Sequence, residues 1–248
     1  MYQAKEIMSL IRSKDRKVTN AVSPNGKTPT IANTFGLPSG KAYSCPGATS
    51  VCETICYAGK LEKVYKGVKN ILVSNFDQLK NATLAEMTLL IDEMIKDFRK
   101  DCEKRGAEKL FRIHWDGDFF SRDYALAWAV VIRANWDIQF WAYTRSDFAV
   151  ELLMPMNLDN LSLYFSADSA NKDLAIELKN KYGVKLAYLA KDFATGKDDF
   201  KAIQDKAPIP CPENNKKIKL ISEKGSACVL CSQCVFNRND ILFSATKK

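Results

Sequence analysis

Histidine is almost absent: the 248-residue chain has one, His114. That scarcity excludes the imidazole-rich zinc and iron sites, and strand-transfer nucleases that pair two histidines on a strand. No apolar run approaches the roughly 18 residues of a bilayer span, so no membrane partner is expected. The N-terminus, Met1-Tyr2-Gln3-Ala4-Lys5-Glu6, lacks the apolar core and cleavage site of a secretory signal, which points to the cytoplasm. No internal repeat or low-complexity tract interrupts the chain. In a reducing compartment clustered cysteines bind metal more often than they form disulfides.

Cysteine is what the chain has in quantity. Seven of its eight cysteines fall into two groups. Cys45, Cys52 and Cys56 form C-x6-C-x3-C, followed by Tyr57-Ala58-Gly59. Cys228, Cys231 and Cys234 form C-x2-C-x2-C, with Cys211-Pro212 upstream. Two intervening residues let a turning backbone aim successive thiolates at one centre. A tight triplet completed by a remote Cys-Pro favours ferredoxin-like [4Fe–4S] ligation, with a four-thiolate zinc site as the alternative. The first trio has three ligands in its neighbourhood. On a [4Fe–4S] cube it would leave one iron open to an exogenous ligand such as S-adenosylmethionine. The competing reading joins the trio to the tail cysteines, or to Cys102, in one structural site. One or two clusters are therefore expected. Cys102, at the end of a predicted helix, reads as a structural or surface cysteine.

Composition is otherwise that of a globular protein, with 46% hydrophobic and 27% charged residues. The net charge of +8 and pI near 9.0 permit nucleic-acid binding without demanding it. Residues 1–27 read as a polar arm ending in the turn Ser23-Pro24-Asn25-Gly26. A core over 28–207 follows, and then a cysteine-rich tail over 208–248, where the helix/strand rhythm is expected to stop. In the core an extended stretch, Thr30–Phe35, precedes a Gly/Pro-rich loop that delivers the first cysteines. Helices are predicted over Leu61–Lys80 and Thr83–Lys104, the second from its apolar stripe. Strands at Leu110–Trp115, Ile138–Ala142, Leu161–Ser166 and Val184–Ala190 alternate with helices at Tyr124–Ala134, Phe148–Met154 and Lys172–Tyr182. This predicts an α/β fold with a parallel sheet, curved into a partial (β/α) barrel.

In such folds ligands bind at the carboxyl ends of the strands. Those ends carry Gly117 and Asp118, then Tyr143 and Arg145, then Ser166 and Asp168. They are the candidate cofactor-binding residues, and helix capping is the competing account of several of them. His114, predicted inside the first strand, would share a face with Asp116. It reads as a packed histidine more than as a catalyst.

The stretches Phe111–Ser121 and Phe140–Ser146, and Asn33–Pro38 running into Cys45–Cys56, resemble the bacteriophage "gene product 88" family, over roughly residues 30–235. That family carries no established biochemical function. More loosely, Cys45…Cys52…Cys56-Tyr57-Ala58 looks like the cysteine loop of radical S-adenosylmethionine-like phage proteins. That resemblance implies a cluster loop after the first barrel strand, with Gly117-Asp118 where the superfamily binds the methionine amino group. It also implies an auxiliary cluster on the C-terminal cysteines, an electron donor, and a bacterial host's cytoplasm. The chain departs from the superfamily in lacking C-x3-C-x2-C, having Gly59 where a third cysteine would stand, and in carrying Asp118 for the commoner glutamate. The competing function is a nucleic-acid-binding replication or repair factor stapled by iron–sulfur or zinc sites. No motif selects a substrate.

Overall fold

The computed structural model describes residues 9–246, so the signal-peptide reading at Met1–Glu6 lies outside the described residues. The chain enters through an arm that is pinned to the body. Ser13 and Thr34 bridge antiparallel, and Asp15 accepts from Arg112 Nη1 at 2.7 Å. The first cysteine segment makes two short helices, α1 (Ser50–Ile55) and α2 (Tyr57–Val64). Thr49 caps α1 by accepting from the amide of Cys52, and Cys56 Sγ caps α2 by accepting from the amide of Gly59.

The predicted helix over 61–80 is broken. α2 ends at Val64, and α3 (Lys66–Leu79) restarts after Tyr65 in extended backbone. The physical reason is phase. At 100° per residue, buried Ala58 and Glu62 lie about 90° around the axis from buried Leu72, Asn75 and Leu79, so one straight helix could not bury both sets. α4 (Leu84–Arg105) matches its expectation. Thr83 and Glu86 form a capping box, Gly106 closes it at φ +59°, and Met87, Leu90, Ile91, Met94, Ile95 and Phe98 are buried. Cys102 is buried on that same stripe, which removes the surface half of its reading as a structural or surface cysteine.

Next come β1 (Leu110–Ile113), α5 (Arg122–Ala134), β2 (Gln139–Thr144), α6 (Asp147–Leu153), β3 (Leu161–Ala167), α7 (Lys172–Tyr182), β4 (Lys185–Ala190) and α8 (Phe193–Lys201). The tail adds β5 (Ile209–Pro210), the hairpin β6 (Ile221–Ser222) and β7 (Gly225–Ser226), α9 (Ala227–Cys231) and β8 (Ile241–Ser244). The main sheet has six strands, all parallel, in the order β1-β2-β3-β4-β8-β5. The parallel α/β sheet is thus as expected. Asn33–Leu37 runs beside β1 and trades bonds with Arg112, Trp115 and Asp116, which extends that edge. Among the described residues no hydrogen bonds join this edge to β5, so the sheet is open.

The rhythm does not stop at Pro210. β8 inserts between β4 and β5 and completes the sheet. β5 and β8 hold two and four residues, too few for periodicity to reveal.

Alternation sorts the two faces of the sheet. Phe111, Ile113, Phe140, Ala142, Leu163, Phe165, Leu186 and Leu242 join the large core shared with α4–α8. Trp141, Tyr143, Tyr164, Ala187 and Ile241 belong to the opposite face, where the tail packs. Among the described residues no helix is long and apolar enough to cross a membrane.

His114 corrects its expected position. β1 ends at Ile113, and His114 takes φ +59°, a conformation rare for non-glycine residues. The twist sends its ring into the helix-side core, edge-on to Phe119 (4.8 Å between centroids), with Nε2 2.8 Å from Tyr124 Oη. It does not share a ligand-facing surface with Asp116. Burial lowers its pKa to about 3, followed by the nearby Arg112 charge. The sign follows directly. Below about pH 6.5 the unfolded chain takes a proton that the fold refuses, so stability falls as pH drops towards 3. Denaturant unfolding at pH 7 and pH 5 should differ by about 2 kcal/mol from this group alone. Because asparagine tolerates positive φ, His114→Asn should keep the turn and flatten that dependence. Equal slopes for the two proteins would show that the imidazole titrates normally in the fold.

Candidate functional site

At the carboxyl ends of β1 and β2 one carboxylate organises the backbone. Asp118 accepts from Thr144 Oγ1 (2.6 Å), from the amide of Phe119 (2.7 Å) and, on its other oxygen, from the amide of Arg145 (2.7 Å). Burial nevertheless raises it to about 6. Gly117 sits at φ +81°, and a Cβ there would lie 2.5 Å from Ser44 Oγ and 2.7 Å from Leu37. The glycine is needed for both conformation and close approach. Arg145 then reaches across to β3: its Nη1 is 2.7 Å from Asp168 Oδ2, with both side chains almost wholly buried. Asp118, Arg145 and Asp168 do converge on one rim, as the strand-end pattern implies. They arrive already bonded to one another or to the backbone.

The first cysteine loop is seated on this rim. Thr49 Oγ1 donates to Asp168 Oδ2 at 2.6 Å, tying the start of α1 to the end of β3. Gly47 lies so close to Arg145 that an added Cβ would overlap that residue's carbonyl group. Cys45 lies within electrostatic reach of Asp118 and Asp116. Cys52 lies within reach of Arg145, Cys56, Asp168 and Asp118. Burial pushes the Cys45 and Cys52 thiols up, which makes them poor nucleophiles.

A buried carboxyl pair adjoins the loop. Burial, and then neighbouring Glu62, raise Asp116 to about 8. Its Oδ1 accepts from the amide of Gly117 (2.8 Å), while Oδ2 finds no donor. Glu62 in turn accepts from the amide (2.9 Å) and hydroxyl of Ser39.

The second cysteine group covers the other face of the sheet. α9 places Cys228 and Cys231 one turn apart, and left-handed Ser232 (φ +55°) turns the chain towards Cys234. Cys228 and Cys234 pack on the Trp141–Val235 cluster, and Cys211 and Cys234 on the Tyr164–Ile241 cluster. Cys234 lies within electrostatic reach of Cys228, Cys231 and Cys211, so the four thiols gather in one neighbourhood. The sheet holds this loop by its polar side chains. Gln139 Nε2 and Ser162 Oγ donate to the carbonyl of Val235 (2.9 and 2.8 Å), and Tyr164 Oη donates to those of Gln233 and Asn239. Burial raises the Cys228 thiol well above the usual range and Cys234 to about 12.

Arg112 lies beside these thiols, paired with Asp15 and 5.5 Å from the Tyr143 ring centroid. Burial opposes its charge, but Tyr57, Asp15 and Tyr143 hold it protonated, and its Nε has no partner. All eight cysteines are free thiols. Among the described residues no three His, Cys, Asp or Glu side chains close on a point that could hold a single ion.

Tyr143 therefore belongs to the tail centre and not to the Asp118–Asp168 rim. Ser166 lies partly buried one strand over, and its carbonyl accepts from Asn171 Nδ2 at 3.2 Å. Sequence reasoning missed Thr49, Asp15, Arg112, Glu62, Ser162 and Tyr164. Only Arg112 carried any signal, being a charge at an alternate position of a predicted strand.

The family described as Gene product 88 matches residues 8–238. The "Gene 88 protein" of Mycobacterium phage L5 is 52% identical over 242 residues, covering 96% of this chain and 99% of its own length. The "Gene 88 protein" of Mycobacterium phage D29 is 52% identical over 244 residues, covering 97% and 99%. No solved structure matches the chain.

Proposed function

The chain belongs to the Gene product 88 family, and from that premise we propose that it is an iron–sulfur protein of radical S-adenosylmethionine type. The observation that carries this reading is the seating of the three-cysteine loop over the carboxyl ends of parallel strands, beside buried Arg145, with four further thiols gathered beside buried Arg112. Cys211, Cys228, Cys231 and Cys234 would hold one [4Fe–4S] cluster, and Cys45, Cys52 and Cys56 a second. Thiolate-ligated clusters are net anionic, and each cysteine group has an arginine within electrostatic reach. A cluster takes one thiolate per iron. Its ligands therefore surround a volume and need not close on a point, which suits this donor set better than a single zinc ion does.

When bound, a cluster with one iron free of protein ligands supplies an electron and a coordination position for S-adenosylmethionine. The residues here would shape that position. Asp118 fixes the backbone of Arg145, and the Arg145–Asp168 pair fixes the floor. Gly117 and Ser166 would complete the cofactor's surroundings, whereas Tyr143 would lie beside the tail cluster. The place of action is the cytoplasm of the bacterial host, with a separate electron donor. The substrate is a small or macromolecular partner that reaches the strand ends.

The test is electron paramagnetic resonance of the anaerobically purified, dithionite-reduced protein, with and without S-adenosylmethionine. A perturbed spectrum, with 5′-deoxyadenosine and methionine formed, is the expected result. Cluster signals indifferent to S-adenosylmethionine would overturn the enzyme reading and leave structural or redox clusters.

A further inference from the structure

The face built by the first cysteine loop and α2–α3 is basic. Lys41, Lys60, Lys63, Lys66 and Lys69 are all exposed, four of them at three-residue intervals. None of the five is in an ion pair among the described residues, although lysines elsewhere pair with neighbouring carboxylates. Between Tyr57 and Phe76 the one acidic residue is Glu62, which is buried beneath the helix.

Interleaved with the lysines are three exposed tyrosines, Tyr43 (45%), Tyr57 (54%) and Tyr65 (56%). Tyr57 is held by its hydroxyl, which donates to the carbonyl of Trp115 at 2.9 Å, so its ring is fixed while exposed. On the exposed side of α2, Tyr57, Leu61 and Val64 lie beside Lys60 and Lys63, and Tyr65 follows at the helix end. Exposed rings among unpaired cations, with Tyr43 steadied edge-on by Phe76 at 6.2 Å, suit a phosphate backbone with unstacked bases.

We infer that this face binds single-stranded nucleic acid, with the lysines on phosphates and the tyrosines stacking bases, and delivers the strand to the mouth beside Cys45–Cys56. The inference goes beyond the cluster reading, because the lysines and rings are present whether or not metal is bound.

The experiment is fluorescence anisotropy of a labelled oligo-dT of about 20 nucleotides with the full-length protein, at several salt concentrations. Lys60→Gln/Lys63→Gln should weaken binding by about tenfold and reduce the salt slope by about 1.4, the value for two lost phosphate contacts on a single strand. Tyr65→Ala should weaken it by about fivefold or more. The equal charge change Lys181→Gln/Lys197→Gln, on α7 and α8, should leave binding as in the wild type. Equal losses from both double variants, no binding by the wild type, or a preference for anionic vesicles over the oligonucleotide would each overturn the inference. Iron content of every variant separates failure here from failure of the cluster reading, since none of these side chains touches a cysteine ligand.

Discussion

Cys234→Ser should strip the tail of its metal, reduce iron from about eight to about four per chain, and lower the melting temperature by about 6–12 °C. The argument starts from the position of Cys234. It touches both apolar clusters on the tail-facing side of the sheet, and it lies within reach of Cys211, Cys228 and Cys231. The segment around it has little else to hold it. α9 has five residues, and β6 and β7 have two each. Such a segment gains folding energy from a metal directly, because the site does not exist in the unfolded chain. A loss of about 3 kcal/mol or more is therefore expected. Were no metal bound, serine for a buried thiol would cost only about 1–2 kcal/mol, as for any buried hydroxyl short of partners. Cys102→Ser is the matching control. That thiol is fully buried in the helix-side core, away from the other cysteines, so iron should stay constant while stability falls modestly.

Gly47→Ala should have the converse effect, losing the first centre and sparing the second. A methyl group at Gly47 would lie 2.5 Å from the carbonyl carbon of Arg145 and 3.0 Å from the amide nitrogen of Ser146. Both are backbone atoms at the end of β2. Neither can yield, because Asp118 and Thr144 hold those amides at 2.7 and 3.0 Å. The loop must lift instead. Overpacking of this kind costs about 1–3 kcal/mol, and here it moves Thr49 away from Asp168 and Cys52 away from Arg145. Iron should fall to about four per chain, with the tail cluster's signal intact and the response to S-adenosylmethionine gone. Full iron and an unchanged response would show that the loop does not need its seat.

Both expectations depend on features that differ in how far the sequence discloses them. The alternation from Leu110 to Ala190 announces a parallel sheet, and β1–β4 with α5–α7 fall within a few residues of their expected places. The apolar stripe of α4 is equally legible, down to its cap at Thr83. By contrast, nothing local marks His114 as the end of β1, since Ile-His-Trp reads as a continuing strand. The break at Tyr65 follows from two burial faces that exist only once the sheet and loop are in place. The arm reads as solvent-exposed polar chain, yet Asp15 pairs with Arg112, and Lys17 pairs with Glu213 of the tail.

The candidate site shows the same division. Residue types at the strand ends mark the rim, and Asp118, Arg145 and Asp168 meet there. What the sequence does not disclose is how those groups are used up: the Asp118 oxygens on backbone amides and Thr144, the Asp168 oxygens on Arg145, Thr49 and the amide of Ala170. Long-range hydrogen bonds carry no local signature. The cysteine spacing, which does, pointed to two thiol neighbourhoods, and the fold places them on the rim and on the opposite face of the sheet.

The most direct test of the iron–sulfur assignment is elemental: iron, acid-labile sulfide and zinc on the anaerobically purified, full-length protein. About eight irons and eight sulfides per chain, with negligible zinc, is the expected result. Zinc without iron or sulfide would contradict it, reassign the cysteines to structural sites, and leave the basic tyrosine face as the surface that does the work.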